Sequence, residues 1–219
     1  MRQYLQDLLE RICTVEELVN SKDSVSWAAL REAEGLTDLS MVTELTEYLA
    51  TNPKKDKRQA VYFIVGKIGK NLQDLSCASV LLTLIEKEKD KYALSSLLDR
   101  IADIQKPSEM DLKPIYNLLN DKRWLVRHSA IQALNNTNSP EVEDKILTVL
   151  AGSNDPDDLV YCQSTLNRVG SIKSLPVLEK SLKSRKRDVK HSAQAAIEAI
   201  EARYFAQQGV PADAEKRRG

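Results

Sequence analysis

The sequence predicts an all-α array of stacked helical hairpins, and three observations carry that expectation. First, Val65-Gly66-Lys67-Ile68-Gly69 returns in looser form as Leu166-Asn167-Arg168-Val169-Gly170. Between and beyond them stand Ile101-Ala102-Asp103-Ile104, Leu134-Asn135-Asn136-Thr137 and Ile197-Glu198-Ala199-Ile200, so the anchors are spaced by 36, 33, 32 and 31 residues. A period of roughly 20–50 residues marks units that each bury their apolar face on a neighbour. Second, glycine and proline number seven each and aromatics make up 5%, while Leu, Ala, Glu and Lys are plentiful, a helical composition. Third, apolar residues recur at helical spacing in every period.

Each period reads as two helices, the second carrying the anchor. Lys57 to Ile68 places Ala60, Val61, Ile64, Val65 and Ile68 on one stripe. Tyr92 to Ile101, Leu125 to Leu134, Leu159 to Val169 and Val189 to Ile200 repeat the pattern. The first helices are expected over Leu39–Leu49, Leu72–Ile85, Ser108–Leu119, Val142–Leu150 and Ile172–Leu182. Short polar turns such as Thr51-Asn52-Pro53, Asn120-Asp121 and Ser153-Asn154-Asp155-Pro156 supply helix stops and caps. Links this short imply antiparallel neighbours. The chain therefore divides into an N-terminal helical cap over 1–36, the repeat array over 37–203, and a tail over 204–219 expected to be frayed or disordered. The cap covers the exposed end of the first repeat, since terminal units of an array are atypical. The tail is polar and carries Gly209 and Pro211.

Composition sets limits on function. Lys plus Arg and Asp plus Glu each total 32, so the formal net charge is zero, which counts against a dedicated nucleic-acid binder. Cys13, Cys77 and Cys162 are odd in number and far apart. They suit buried, reduced thiols in a cytoplasmic protein better than disulfides or zinc. No apolar run is long enough to span a membrane, and no signal core follows Met1.

Asp121-Lys122-Arg123-Trp124-Leu125-Val126-Arg127-His128-Ser129-Ala130-Ile131-Gln132-Ala133-Leu134 resembles the second helix of a HEAT repeat, and Asp188-Val189-Lys190-His191-Ser192-Ala193 to Ile197 is a second match. Pro114 and Pro176 in the first helices are also similar to the family. The resemblance covers about residues 37 to 203 and implies a right-handed α–α superhelix of about five hairpins. It also implies a ladder between neighbouring repeats, built from an Asp and an Arg six residues apart. Asp121 and Arg127 fit; Asn52 and Arg58 are a variant; Glu88/Leu94, Ser153/Leu159 and Ser184/Lys190 do not fit. Packing is therefore expected to rest on the apolar stripes.

No catalytic constellation appears: there is no phosphate loop, no Cys-x-x-Cys and no His-Glu-x-x-His. His128 and His191 hold equivalent places two repeats apart, and repeats advance about 10 Å each, too far to share a metal. HEAT-type iron hydroxylases use His-Glu pairs, and neither histidine here precedes Glu. No cofactor and no metal are expected, and the chain is expected not to be an enzyme. Trp124 is expected to lie partly buried on the adjacent repeat; an exposed ring there would anchor a partner or stack on a base. The intra-repeat turns gather Lys55, Lys57, Lys122, Arg123, Arg185, Lys186 and Arg187 into a basic ridge, interrupted at Asp155-Pro156-Asp157-Asp158.

The expected function is a non-enzymatic protein-binding scaffold or adaptor using the concave face of the array, with toxin-neutralising immunity as one such role. Contacts are expected from Arg58, Trp124, Arg127, Arg168 and Lys190. The expected partner is another protein; the alternative is nucleic acid, through kinship with alkylpurine DNA glycosylases. A lyase-type chaperone for pigment attachment is a third role of HEAT-like proteins, and nothing here marks a chromophore site. The sequence does not address oligomeric state.

Overall fold

The computed structural model describes residues 1–17 and 23–209. The described residues form twelve α-helices: α1 Gln3–Ile12, α2 Val25–Glu34, α3 Ser40–Ala50, α4 Lys55–Leu72, α5 Leu75–Leu84, α6 Lys91–Ala102, α7 Lys113–Tyr116, α8 Trp124–Ala133, α9 Pro140–Gly152, α10 Pro156–Val169, α11 Leu175–Ser181 and α12 Arg187–Gln207. The chain separates into two compact units, Met1–Lys106 with Met110–Ala133, and Pro107–Glu109 with Leu134–Gly219. The hairpins α3/α4, α5/α6 and α7/α8 fall in the first unit and α9/α10 and α11/α12 in the second.

Helix starts follow the expected capping chemistry. Asp90 accepts from the amides of Tyr92 and Ala93 and opens α6; Asp74 and Asp155 do the same for α5 and α10. Two first helices are shorter than their apolar pattern suggests, and proline is the reason. Pro114 lacks an amide hydrogen and its ring would clash with a carbonyl one turn back, so α7 starts only at Lys113. Downstream the chain tightens into three-residue turns, Leu118 to Ile115 and Leu119 to Tyr116. Pro176 acts alike in α11, where Ile172–Ser174 is a separate 3-10 turn. Leu72 belongs to α4 and not to the following helix: Gln73 turns left-handed at φ 52° and Asp74 then caps α5. At the other end, α12 continues to Gln207, four residues into the expected tail; residues 210–219 lie outside the described residues.

In the first unit the second helices pack side by side, α6 lying against both α4 and α8. Ile64, Ile68, Leu94, Leu97, Leu98, Ile101, Ala130 and Ile131 are fully excluded from solvent. Each large aliphatic side chain so buried contributes about 1.5–3 kcal/mol. The repeated glycines have a steric purpose. A Cβ on Gly66 would stand 2.6 Å from Arg100 Cβ on α6, and one on Gly69 would stand 2.6 Å from Cys77 Cβ and 2.8 Å from Ile104 Cδ1. The Cβ atoms of Arg100 and Cys77 are at the root of their side chains and cannot rotate away. The first helices α1 and α2 pack on each other and on α4, burying Leu5, Leu8, Leu9, Ala29 and Ala33. The Arg11–Glu32 pair joins α1 to α2, and ion pairs from Arg2 to Asp38 and Glu44, Lys57 to Glu10 and Lys67 to Glu34 tie these helices to α3, the turn before it and α4.

In the second unit α10 lies on α12, and α9 and α11 cover their flanks. Val142, Ile146, Cys162, Leu166, Leu178, Ala193 and Ala196 form its core. Buried Glu143 accepts from the Ser171 amide at 2.8 Å and the Ser174 hydroxyl at 2.5 Å, fixing the turn before α11. Arg203 donates to the carbonyls of Asn167 and Gly170 and so closes the C-terminal end of α10.

The C-terminal end of α6 is closed by Lys106, which has no solvent exposure. Its Nζ donates to the carbonyl of Ile101 at 2.8 Å and of Ile104 at 2.7 Å. Burial disfavours the charged form and lowers the lysine from 10.5 to about 7, against a weak opposing pull from Asp103. The unfolded chain keeps the ordinary value and binds the proton more readily throughout that window. Stability therefore rises with pH from about 7 to about 10.5 and is lost as pH falls back through the window, at up to about 1.4 kcal/mol per pH unit.

Two outcomes follow. Gly66→Ala and Gly69→Ala destabilise the chain, reversing the gain of about 0.5–1 kcal/mol that a helical Gly→Ala change ordinarily gives. Gly152→Ala, with no atom within 4 Å of its Cβ, shows that gain; urea midpoints read all three. Lys106→Met flattens the rise of the urea midpoint with pH between neutrality and the ordinary lysine range; a mutant slope equal to the wild-type slope contradicts the assignment.

Candidate functional site

The starts of α4, α6 and α8 lie next to one another in the first unit. Two contacts fix this arrangement: the Gln59 side-chain amide donates to the Tyr92 carbonyl at 3.3 Å, and Arg123 Nη1 donates to the Lys89 carbonyl at 3.4 Å. Tyr92, the second residue of α6, is 52% exposed, and Trp124, the first residue of α8, is 61% exposed. Lys55 Nζ stands 5.4 Å and Lys91 Nζ 4.9 Å from the centre of the Tyr92 ring, within cation–π range. The Trp124 ring lies against that of His128, centres 5.6 Å apart and tilted by 57°, while His128 itself is buried. The expectation of a partly buried Trp124 is thus corrected. As the first residue of its helix it has no preceding turn to lie on, and its ring projects into solvent.

Other expected contact residues have different surroundings. Arg58 is held inward: its guanidinium makes a two-pronged contact with Glu88, Nε to Oε2 at 2.7 Å and Nη2 to Oε1 at 2.9 Å, and donates to the Pro53 carbonyl. Tyr62 donates to the same carboxylate at 2.8 Å, and the Glu88 side chain is 2% exposed. Burial alone would raise the Glu88 carboxyl. Arg58, the Asp90 amide and Tyr62 outweigh it and hold Glu88 below the usual range, while burial and Glu88 push Tyr62 upward. This is the rung that joins the first two repeats. Its acid is Glu88, at a position that does not fit the expected Asp–Arg spacing within its own repeat, and Asn52 takes no part in it. The cluster floors a cavity of about 350 Å³ that also reaches Thr46, Lys87 and Lys89.

Asp121 departs from the expected ladder too. Its carboxylate accepts from Arg123 Nη2 at 2.7 Å, whereas Arg127 Nη1 donates to the Asp121 backbone carbonyl at 2.9 Å. Lys57, expected in the ridge, is also turned inward, donating to the Leu9 carbonyl and pairing with Glu10. Lys55 and Lys122 are exposed, whereas Arg123 is part-buried against Asp121. In the second unit Arg168, Lys190, Arg185, Lys186 and Arg187 are exposed, Arg187 against Asp188 at 3.2 Å. His191 is exposed in that unit as well.

Among the described residues no group of three or more His, Cys, Asp and Glu could hold a metal, and no helix is long and apolar enough to cross a membrane. Burial raises the Cys77 thiol to about 11 and that of Cys162 to about 12, so both are protonated at neutral pH. Cys13 is only half-buried.

Residues 112–198 match the family model for HEAT repeats. An engineered protein of known crystal structure superposes with a TM-score of 0.54 at 18% identity, covering 92% of this chain and 98% of its own, which establishes the fold. Human deoxyhypusine hydroxylase in complex with glycerol aligns at 11% identity over 91% of this chain and 96% of its own, with a TM-score of only 0.30. No curated protein matches the sequence.

Removing the acid of the rung tests its role. Glu88→Ala leaves the Arg58 guanidinium and the Tyr62 hydroxyl part-buried without their partner, and the expected loss is about 3–5 kcal/mol in urea unfolding. A loss below about 1 kcal/mol, the value of a surface pair, contradicts it.

Proposed function

We propose that this chain of HEAT repeats is a non-enzymatic protein-binding scaffold or adaptor, and that its contact surface is the edge formed by the starts of α4, α6 and α8. The observation behind this reading is Trp124, an indole 61% exposed at the head of a helix whose other face is fully packed. Folding gains little from such a ring. Tryptophan and tyrosine are the side chains in which binding energy concentrates, because they bury a large area at small entropic cost. Tyr92, one helix away, supplies a second ring. Arg127, three residues after Trp124, lies on the same side of α8. Arg58 is reassigned from contact to support, since its guanidinium is committed to Glu88.

A likeness of fold serves many roles. Neither toxin neutralisation nor kinship with alkylpurine DNA glycosylases draws support from an engineered neighbour at 18% identity.

Capture from cell extract tests the reading. The wild-type chain retains a protein partner that Trp124→Ala retains at least about tenfold less, the scale of a hot-spot residue. The melting temperature stays within about 2 °C, because the ring contributes little to packing. Equal capture by both chains rules out this surface.

A further inference from the structure

The geometry points to an acidic protein segment as the occupant of the edge at Lys55, Lys91, Tyr92 and Trp124. This inference rests on the protein-binding reading above and adds the chemistry of the partner. The argument is one of unequal commitment between the two signs of charge. Three acidic groups of these turns are already engaged. Glu88 is buried against Arg58 and Tyr62, Asp90 caps α6, and Asp121 accepts from Arg123. Asp56 and Glu86 remain. On the same turns Lys54, Lys55, Lys87, Lys91 and Lys122 make no ion pair within 4 Å among the described residues; Lys55 feels Asp90 and Lys122 feels Asp121 only at longer range, and the lysines outnumber these acids. The net charge of the whole chain is zero, so this local excess is a matter of placement, not of composition.

Two of these ammonium groups are also positioned. Lys55 from α4 and Lys91 from α6 both lie over the single ring of Tyr92, which draws cations from two helices to one spot. A carboxylate approaching Tyr92 meets both. An apolar side chain of the same segment can rest on Tyr92 or Trp124, whose rings are more than half exposed. The resulting order, cations around an aromatic floor with a second aromatic on the next helix, suits an extended Asp/Glu-rich segment carrying leucine or similar residues. Charge steers the encounter and sets specificity, while the rings supply the retained contact.

The test uses the full chain with Trp27→Phe, which leaves Trp124 as the one tryptophan, so that its emission reports this edge. A short synthetic Asp/Glu peptide carrying leucines is titrated against it. The expected result is a saturable emission change that weakens with added salt. Lys55→Glu with Lys91→Glu weakens binding by about tenfold or more, and Lys55→Arg with Lys91→Arg keeps it. No saturable change, or charge reversal without effect, overturns the proposal. So does tighter binding of single-stranded oligo-uridylate at the same ionic strength, which would assign the edge to nucleic acid. If the peptide fails while a captured protein still depends on Trp124, the acidic class falls and protein binding stands. If capture ignores Trp124, the underlying reading falls first.

Discussion

The structure of the first unit depends on how closely α4, α6 and α8 approach one another. No hairpin can bury its own apolar stripe, so each second helix must be covered by its neighbours. α6 shows the constraint at its tightest. Its inner face is closed by Leu94, Leu97, Leu98 and Ile101, and on the α4 side Arg100 fits only because position 66 has no side chain. The repeat of glycine in Val65-Gly66-Lys67-Ile68-Gly69 records this contact in the sequence. Once the helices meet so closely, little of α6 and α8 remains in solvent beyond the first turn. That is where Tyr92, Trp124 and Lys91 stand.

Close packing also closes off the helix ends, and the chain meets that cost with buried polar groups. The last carbonyls of α6 are satisfied by Lys106 and those of α10 by Arg203. Both basic side chains sit at the negative end of a helix, where the dipole favours positive charge, although at Lys106 burial outweighs it. The Arg58–Glu88–Tyr62 cluster does comparable work at the opposite edge of the first unit, joining two repeats through one carboxylate. These groups are costly to bury and more costly to leave unpartnered. They constrain which arrangement of the helices is allowed as well as how stable it is.

Much of the architecture was legible in the sequence because apolar periodicity and capping are local. The order of ten array helices and the cap at Asp155 followed from such signals, whereas the Asp74 cap falls inside the expected Leu72–Ile85 helix. Effects that depend on tertiary contact were not legible. Pro114 was read as compatible with a long first helix, but it set the start of α7. The spacing of Glu88 from Leu94 does not fit the ladder, yet its partner is Arg58 in the preceding repeat, thirty residues away. Lys106 resembled any surface lysine, since nothing local shows that two carbonyls will enclose it. Trp124 stands in the repeat with the best family match, and its exposure reflects its place before the first turn of α8, which spacing alone did not resolve.

The central claim is that the starts of α4, α6 and α8 form the partner surface. Amide hydrogen exchange of the full chain, with and without its captured partner, addresses it most directly. The account predicts slowed exchange confined to the turns and first residues around Lys55, Lys91 and Trp124, with α12 and the groove between α1 and α3, lined by Gln6, Glu10, Glu47 and Tyr48, unchanged. Protection at α12 or in that groove, with the three helix starts exchanging as before, would contradict it.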